Sequence, residues 1–124
     1  MGNVQSLLKR TLEMYGKEVV EHVDKSRYIQ KYLNMKRGKG SCTSSTYKPR
    51  LRSFACFVYK KFAKVEFDPF IDDIKIGKHD PYELLTDYSN YLQYEIEEEY
   101  RVKGDTVNER ISTNHALLQV SCQS

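Results

Sequence analysis

The longest unbroken apolar run in the chain is Phe54-Ala55-Cys56-Phe57-Val58-Tyr59, and it constrains the fold more than any other stretch. It is far too short to cross a bilayer, which takes about 20 residues as a helix. Its surroundings, LRSFACFVYKKFAKVEF at 51–67, are rich in β-branched and aromatic residues. Phe57, Tyr59, Ala63, Val65 and Phe67 fall on odd positions, interrupted only by Lys61. A period of two in such residues predicts a strand.

The same reasoning runs through the carboxy-terminal half. Asp68-Pro69-Phe70 reads as a turn and FIDDIKIG as a short second strand. HDPYELL is a helix start, with Asp80 as cap, Pro81 at the first helical position and Glu83 closing a capping box. Leu84, Leu85, Tyr88 and Leu92 give that helix its buried stripe. Leu92, Tyr94, Ile96, Tyr100 and Val102 then alternate with polar residues, which favours a strand from about Tyr94 over a continuing helix. Lys103-Gly104-Asp105 reads as a hairpin turn, and TVNERIS and ALLQVSC as the last two strands.

The amino-terminal part is helical in period. Leu8, Leu12, Tyr15, Val19 and Val23 form one amphipathic stripe, which Gly16 weakens by about 1 kcal/mol. A second helix follows, capped by Asp24 or Ser26, with Ile29 and Leu33 on one face and Gly38 at its end. RGKGSCTSSTYKPR, residues 37–50, reads as an exposed loop. The expected fold class is α+β: basic amino-terminal helices, then a small antiparallel sheet with one packed helix. Residues 1–50 would form the helical segment and loop, and 51–124 the α+β domain, within one compact unit.

Charge is distributed unevenly. Lys25, Arg27, Lys31, Lys36, Arg37, Lys39, Lys48, Arg50, Arg52, Lys60, Lys61 and Lys64 are uninterrupted by any acidic residue. Residues 65–124 carry 13 acidic residues against 5 basic ones. Such asymmetry points to an anionic partner, or to the basic half meeting the acidic half within one molecule or between copies. Three cysteines, Cys42, Cys56 and Cys122, make a poor disulfide framework and fit a reducing compartment. Lys9 and Arg10 interrupt the apolar start, so no secretory signal is expected.

The opening MGNVQS matches the pattern for N-myristoylation, with Gly2 as acceptor once Met1 is removed and Ser6 as the small hydroxyl residue. One myristoyl chain binds bilayers only at about 10⁴ M⁻¹, so a second signal is needed. No cysteine precedes Cys42 to take palmitate, which leaves Lys9, Arg10 and the basic tract. Each cation contributes about 1 kcal/mol at an anionic leaflet. The tract also has the form of a bipartite nuclear-import signal, Lys36-Arg37 followed by Lys48, Arg50 and Arg52. Tyr28, Tyr32, Tyr47 and Tyr59 interleave with it, as in surfaces that stack on RNA bases. Two short sorting-type motifs, Tyr82-Glu83-Leu84-Leu85 and Asp68-Pro69-Phe70, are better explained as a helix start and a turn.

Catalysis finds little support. His22, His79 and His115 are scattered, and there is no C-x-x-C, H-E-x-x-H, phosphate-cradling glycine loop or nucleophile elbow. No enzyme, cofactor, metal or small-molecule substrate is expected. MGNVQS with a basic amino-terminal half resembles the membrane-facing matrix proteins of enveloped viruses. Retroviral matrix domains are all-helical, from which the alternating stretches depart; rhabdovirus-type ones pair a basic arm with an α+β domain. The resemblance implies peripheral membrane binding with self-assembly. The expected function is a non-enzymatic protein of the cytoplasmic face of membranes, contacting an anionic surface, with its acidic half recruiting a partner or another copy. The alternative is a nuclear or RNA-binding regulatory protein, such as a viral suppressor of host defence, using the same tract.

Overall fold

The computed structural model describes residues 7–37, 43–62 and 66–123, and among these there is no strand. The helices are α1 (Leu7–Tyr15), α2 (Lys17–Val23), α3 (Arg27–Arg37), α4 (Thr43–Lys61), α5 (Phe67–Lys75), α6 (Pro81–Asn90) and α7 (Gly104–Gln123). A π-helical turn at Tyr91–Glu95 and a 3-10 turn at Glu98–Tyr100 join α6 to α7. The fold is helical, and the expected α+β architecture with an antiparallel sheet is overturned.

The largest correction concerns the apolar run. Leu51 through Val58 are all buried on the central helix α4, which packs against α1, α2, α3, α5 and α7. A helix covered on every side needs no polar face, so the helical period disappears from its sequence. What remains is a β-branched and aromatic run that imitates a strand. Phe54 lies at the centre, its ring within 6.4 Å of Phe57, 6.2 Å of Phe67 and 5.0 Å of Tyr88. The stretch read as a loop at 37–50 is helical from Thr43 onward, so a boundary at residue 50 would cut α4.

The last two expected strands are one helix, α7, which begins at Gly104 within the expected hairpin turn Lys103-Gly104-Asp105. Its buried positions, Val107, Arg110, Thr113, Asn114, Leu117, Leu118 and Ser121, recur at helical spacing. Four of these seven are polar, so the core-facing stripe of α7 is hidden from a hydrophobicity reading. The expected strand at Phe70–Gly77 is likewise α5 and the turn beyond it, with Phe67, Phe70, Ile71 and Ile74 buried. The strand expected from Tyr94 is the π turn and the 3-10 turn. The wider π turn places Ile96, and not Glu95, in the core after Leu92.

Other expectations hold. Asp80 caps α6, accepting from the Tyr82 N–H at 2.9 Å, with Pro81 in the first turn and Leu84, Leu85, Tyr88 and Leu92 buried. Ser26 caps α3, its Oγ accepting from the Ile29 N–H at 3.2 Å, and Ile29 and Leu33 are buried. Asp68 on α5 completes that cap by accepting from the Arg27 N–H at 2.8 Å and from the Ser26 hydroxyl. Gly16 does more than weaken its helix. At φ 92° and ψ 156° it ends α1 and begins α2 on a new axis.

Candidate functional site

The basic tract divides into cations that hold the fold together and cations that face outward. Arg52, on the buried part of α4, donates from Nε to Asp24 Oδ1 at 2.8 Å and from Nη2 to Oδ2 at 3.2 Å. Arg50 donates to Glu109 Oε2 at 3.0 Å and to Thr113 Oγ1 at 3.2 Å, joining α4 to α7. Lys61 lies 3.8 Å from Asp87. Lys60 sits 5.8 Å from the Tyr15 ring centroid, in a groove that Glu13, Glu95 and Glu97 also line. Arg10 lies 5.7 Å from the Tyr100 ring centroid and donates to the Glu99 carbonyl at 3.4 Å. The basic half therefore meets the acidic half inside the molecule at several points.

The outward set lies on and beside α3. Arg27, Gln30, Lys31, Asn34 and Met35 are exposed, and Arg27, Lys31 and Met35 follow one another at four-residue spacing along one face. The Arg27 side chain is 91% exposed even though its Nε is 3.8 Å from Asp68. Lys25, just before α3, is exposed, Lys9 on α1 is exposed and Lys48 on α4 is half-buried. Lys36 and Arg37 end α3, where the description covers the backbone alone. Gly2, Ser6, Lys39 and Lys64 lie outside the described residues.

The orientation of α3 follows from its partners. Asp24 lies level with Arg52, and the Tyr32 and Tyr47 ring centroids are 6.4 Å apart, so α3 runs antiparallel to α4. Two aspartates of α5 grip its first turn: Asp68 at the cap, and Asp72, which accepts from the Tyr28 hydroxyl. That hydrogen bond, which holds the proton on the phenol, is the main reason Tyr28 is pushed up to about 12. With its inner face on α4 and α7 and its first turn held by α5, α3 presents a fixed cationic face.

The tyrosines interleaved with the basic residues are occupied. Tyr32 is buried, Tyr47 packs on it, Tyr28 is tied to Asp72, and the Tyr59 ring is 5.1 Å from that of His22. Phe70 of Asp68-Pro69-Phe70 and both leucines of Tyr82-Glu83-Leu84-Leu85 are buried, which removes the anchors that extended sorting peptides present.

Sequence reasoning missed Arg110. It is 8% exposed on α7, and no carboxylate lies within salt-bridge distance of it among the described residues. Burial holds its guanidinium below the usual arginine range, while the Tyr88 hydroxyl beside it works in the opposite direction. Arginine in a polar stretch gives no sequence signal of burial. Among the described residues there is no cluster of potential metal ligands, and no helix is long and apolar enough to cross a membrane. No family model, curated protein or solved structure matches the chain.

Proposed function

We propose that the chain is a non-enzymatic peripheral protein of the cytoplasmic face of membranes, held by a myristoyl group on Gly2 and by the cationic face of α3. The observation that carries this reading is the outward stripe Arg27, Lys31 and Met35, flanked by Lys25. It combines positive charge with an exposed thioether that suits the headgroup boundary. Arg50, Arg52 and Lys61 bind carboxylates of the chain itself, so the polybasic signal is smaller than the twelve cations of the tract. Three or four cations at about 1 kcal/mol each still convert a marginal myristoyl contact into stable attachment. Among the viral matrix proteins that the amino-terminal motif and charge pattern resemble, a helical fold is in keeping with the all-helical retroviral ones and not with the α+β rhabdovirus type.

A nucleic acid would find the same lysines. It would not find free aromatic rings among them, because Tyr28, Tyr32, Tyr47 and Tyr59 are engaged in the fold. The two readings separate in eukaryotic cells expressing the chain with a carboxy-terminal fluorescent tag. Membrane localisation that is lost in Gly2→Ala, and reduced in Lys25→Glu/Lys31→Glu, is the expected result. A fusion that never reaches membranes, or one that Gly2→Ala leaves unchanged, overturns the anchor. Nuclear signal abolished by Lys36→Ala/Arg37→Ala favours the nuclear reading instead.

A further inference from the structure

We infer that Tyr94 is a phosphorylation site for a tyrosine kinase with a cationic substrate groove, an assignment independent of the membrane reading. The fold itself makes the selection among the ten tyrosines. Tyr15 and Tyr91 share a hydroxyl–hydroxyl hydrogen bond at 3.0 Å, Tyr28 donates to Asp72, Tyr88 pairs with Ser53 at 3.2 Å, and Tyr100 donates to Glu13 at 3.4 Å. Tyr32, Tyr47 and Tyr59 are buried or packed on neighbouring rings. Only Tyr82, at 66%, and Tyr94, at 67%, are largely exposed.

Backbone conformation separates these two. Kinase clefts take their substrates extended. Tyr82 lies in the first turn of a capped helix, its N–H held by Asp80 and its ring 5.6 Å from His115. Leu84 and Leu85, which follow it, are buried. Tyr94 lies in the π turn where the regular helix ends. The chain is already extended at Ile96 (φ −68°, ψ 158°) and Glu97 (φ −55°, ψ 141°). Presenting Tyr94 takes the opening of the last helical turn, closed by the Ile96 N–H to the Tyr91 carbonyl at 2.9 Å, the release of buried Ile96, and the loss of the Arg101 Nε hydrogen bond to the Ile96 carbonyl at 3.0 Å.

Charge supplies the selectivity. Glu95, Glu97, Glu98 and Glu99 are all exposed just beyond the acceptor, so a cationic groove is steered onto this stretch. In the transfer, Tyr94 Oη attacks the γ-phosphorus of ATP and the new O–P bond replaces the bond to the β-phosphate oxygen. ADP leaves with that electron pair, and the phenolic proton goes to the kinase's base. The product carries about −1.5 to −2 charge at neutral pH, among four carboxylates that repel it.

The test uses the full chain made in bacteria, incubated with ATP, Mg²⁺ and an acid-directed tyrosine kinase, with the site mapped by fragmentation mass spectrometry. The expected result is a single phosphoryl group on Tyr94, lost in Tyr94→Phe and retained in Tyr82→Phe. Glu97→Gln/Glu98→Gln/Glu99→Gln should slow labelling by on the order of tenfold. No incorporation into the folded chain, label on another tyrosine, or equal labelling of Tyr94→Phe overturns the assignment. Wild-type labelling of the glutamine variant overturns the acidic selection. Far-UV circular dichroism confirms that each variant is folded.

Discussion

Arg52 and Asp24 meet through two hydrogen bonds, at 2.8 and 3.2 Å, on the side of the central helix that faces the α2–α3 junction. The Arg52 side chain is 9% exposed and that of Asp24 32%. The arginine is therefore the partner that cannot recover its hydration when the pair is broken. Asp24→Ala should destabilise the chain by roughly 3 kcal/mol, as expected when a buried charge loses its partner. A double-mutant cycle with Arg52→Met should give a coupling of roughly 1 to 3 kcal/mol in urea denaturation. Additive effects would show that the pair contributes nothing as a pair.

Gly16 adopts a backbone conformation reached almost only by glycine, with φ 92° and ψ 156°. No atom lies within 4 Å of where a Cβ would be, so the cost of Gly16→Ala is one of conformation and not of collision. A loss of roughly 1 to 3 kcal/mol is expected. Thermal denaturation checks it, and unchanged or increased stability would mean that α1 and α2 can join as one helix.

Burial pushes the Cys56 thiol up to about 12 from an ordinary 9.0. Burial also raises Tyr15 and Tyr88. In each case the folded state favours the neutral form. The unfolded chain gives up these protons first, so their contribution to stability is complete below about pH 9 and is lost as pH rises toward 12. In a Cys42→Ser/Cys122→Ser background, Cys56 should resist alkylation at pH 8 and react once urea unfolds the chain. Rapid modification of the folded protein would contradict its place in the core.

Lys31 and Arg50 should fail in different assays. Lys31→Glu reverses an exposed charge and should weaken binding to phosphatidylserine vesicles by about 2 kcal/mol, or about 1 per unit of charge. Its folding stability should change by less than about 0.5 kcal/mol. Arg50→Ala breaks contacts to Glu109 and Thr113 and should lower stability by about 1 kcal/mol, with little effect on vesicle binding. Reversed outcomes would mean that the binding face has been misplaced.

The sequence was informative where local chemistry decides the structure. Asp80 and Pro81 at the start of α6, and Ser26 at the start of α3, occupy the positions that capping requires. It misled where tertiary surroundings decide. On α4, burial on all sides erased the helical period between Leu51 and Val58. On α7, Arg110, Asn114 and Ser121 occupy core positions, so the period was present but carried by the wrong residue types. The charge asymmetry was visible at once. Its partial neutralisation, Arg50 by Glu109 and Lys61 by Asp87, depends on contacts across long stretches of chain that composition cannot reveal.

The cap that Asp68 provides to α3 comes from 41 residues further along the chain. α3 has 11 residues and is too short to be stable alone in water, where isolated helices need about 12 to 15. During synthesis the segment leaves the ribosome well before the residue that finishes its first turn. The cationic face thus becomes rigid only after α5 has been made and has docked. A growing chain carries its amino-terminal motif from the outset, yet offers a membrane no ordered basic surface. On the membrane role proposed above, durable attachment would come late and would double as a check that the molecule has folded at least as far as α5.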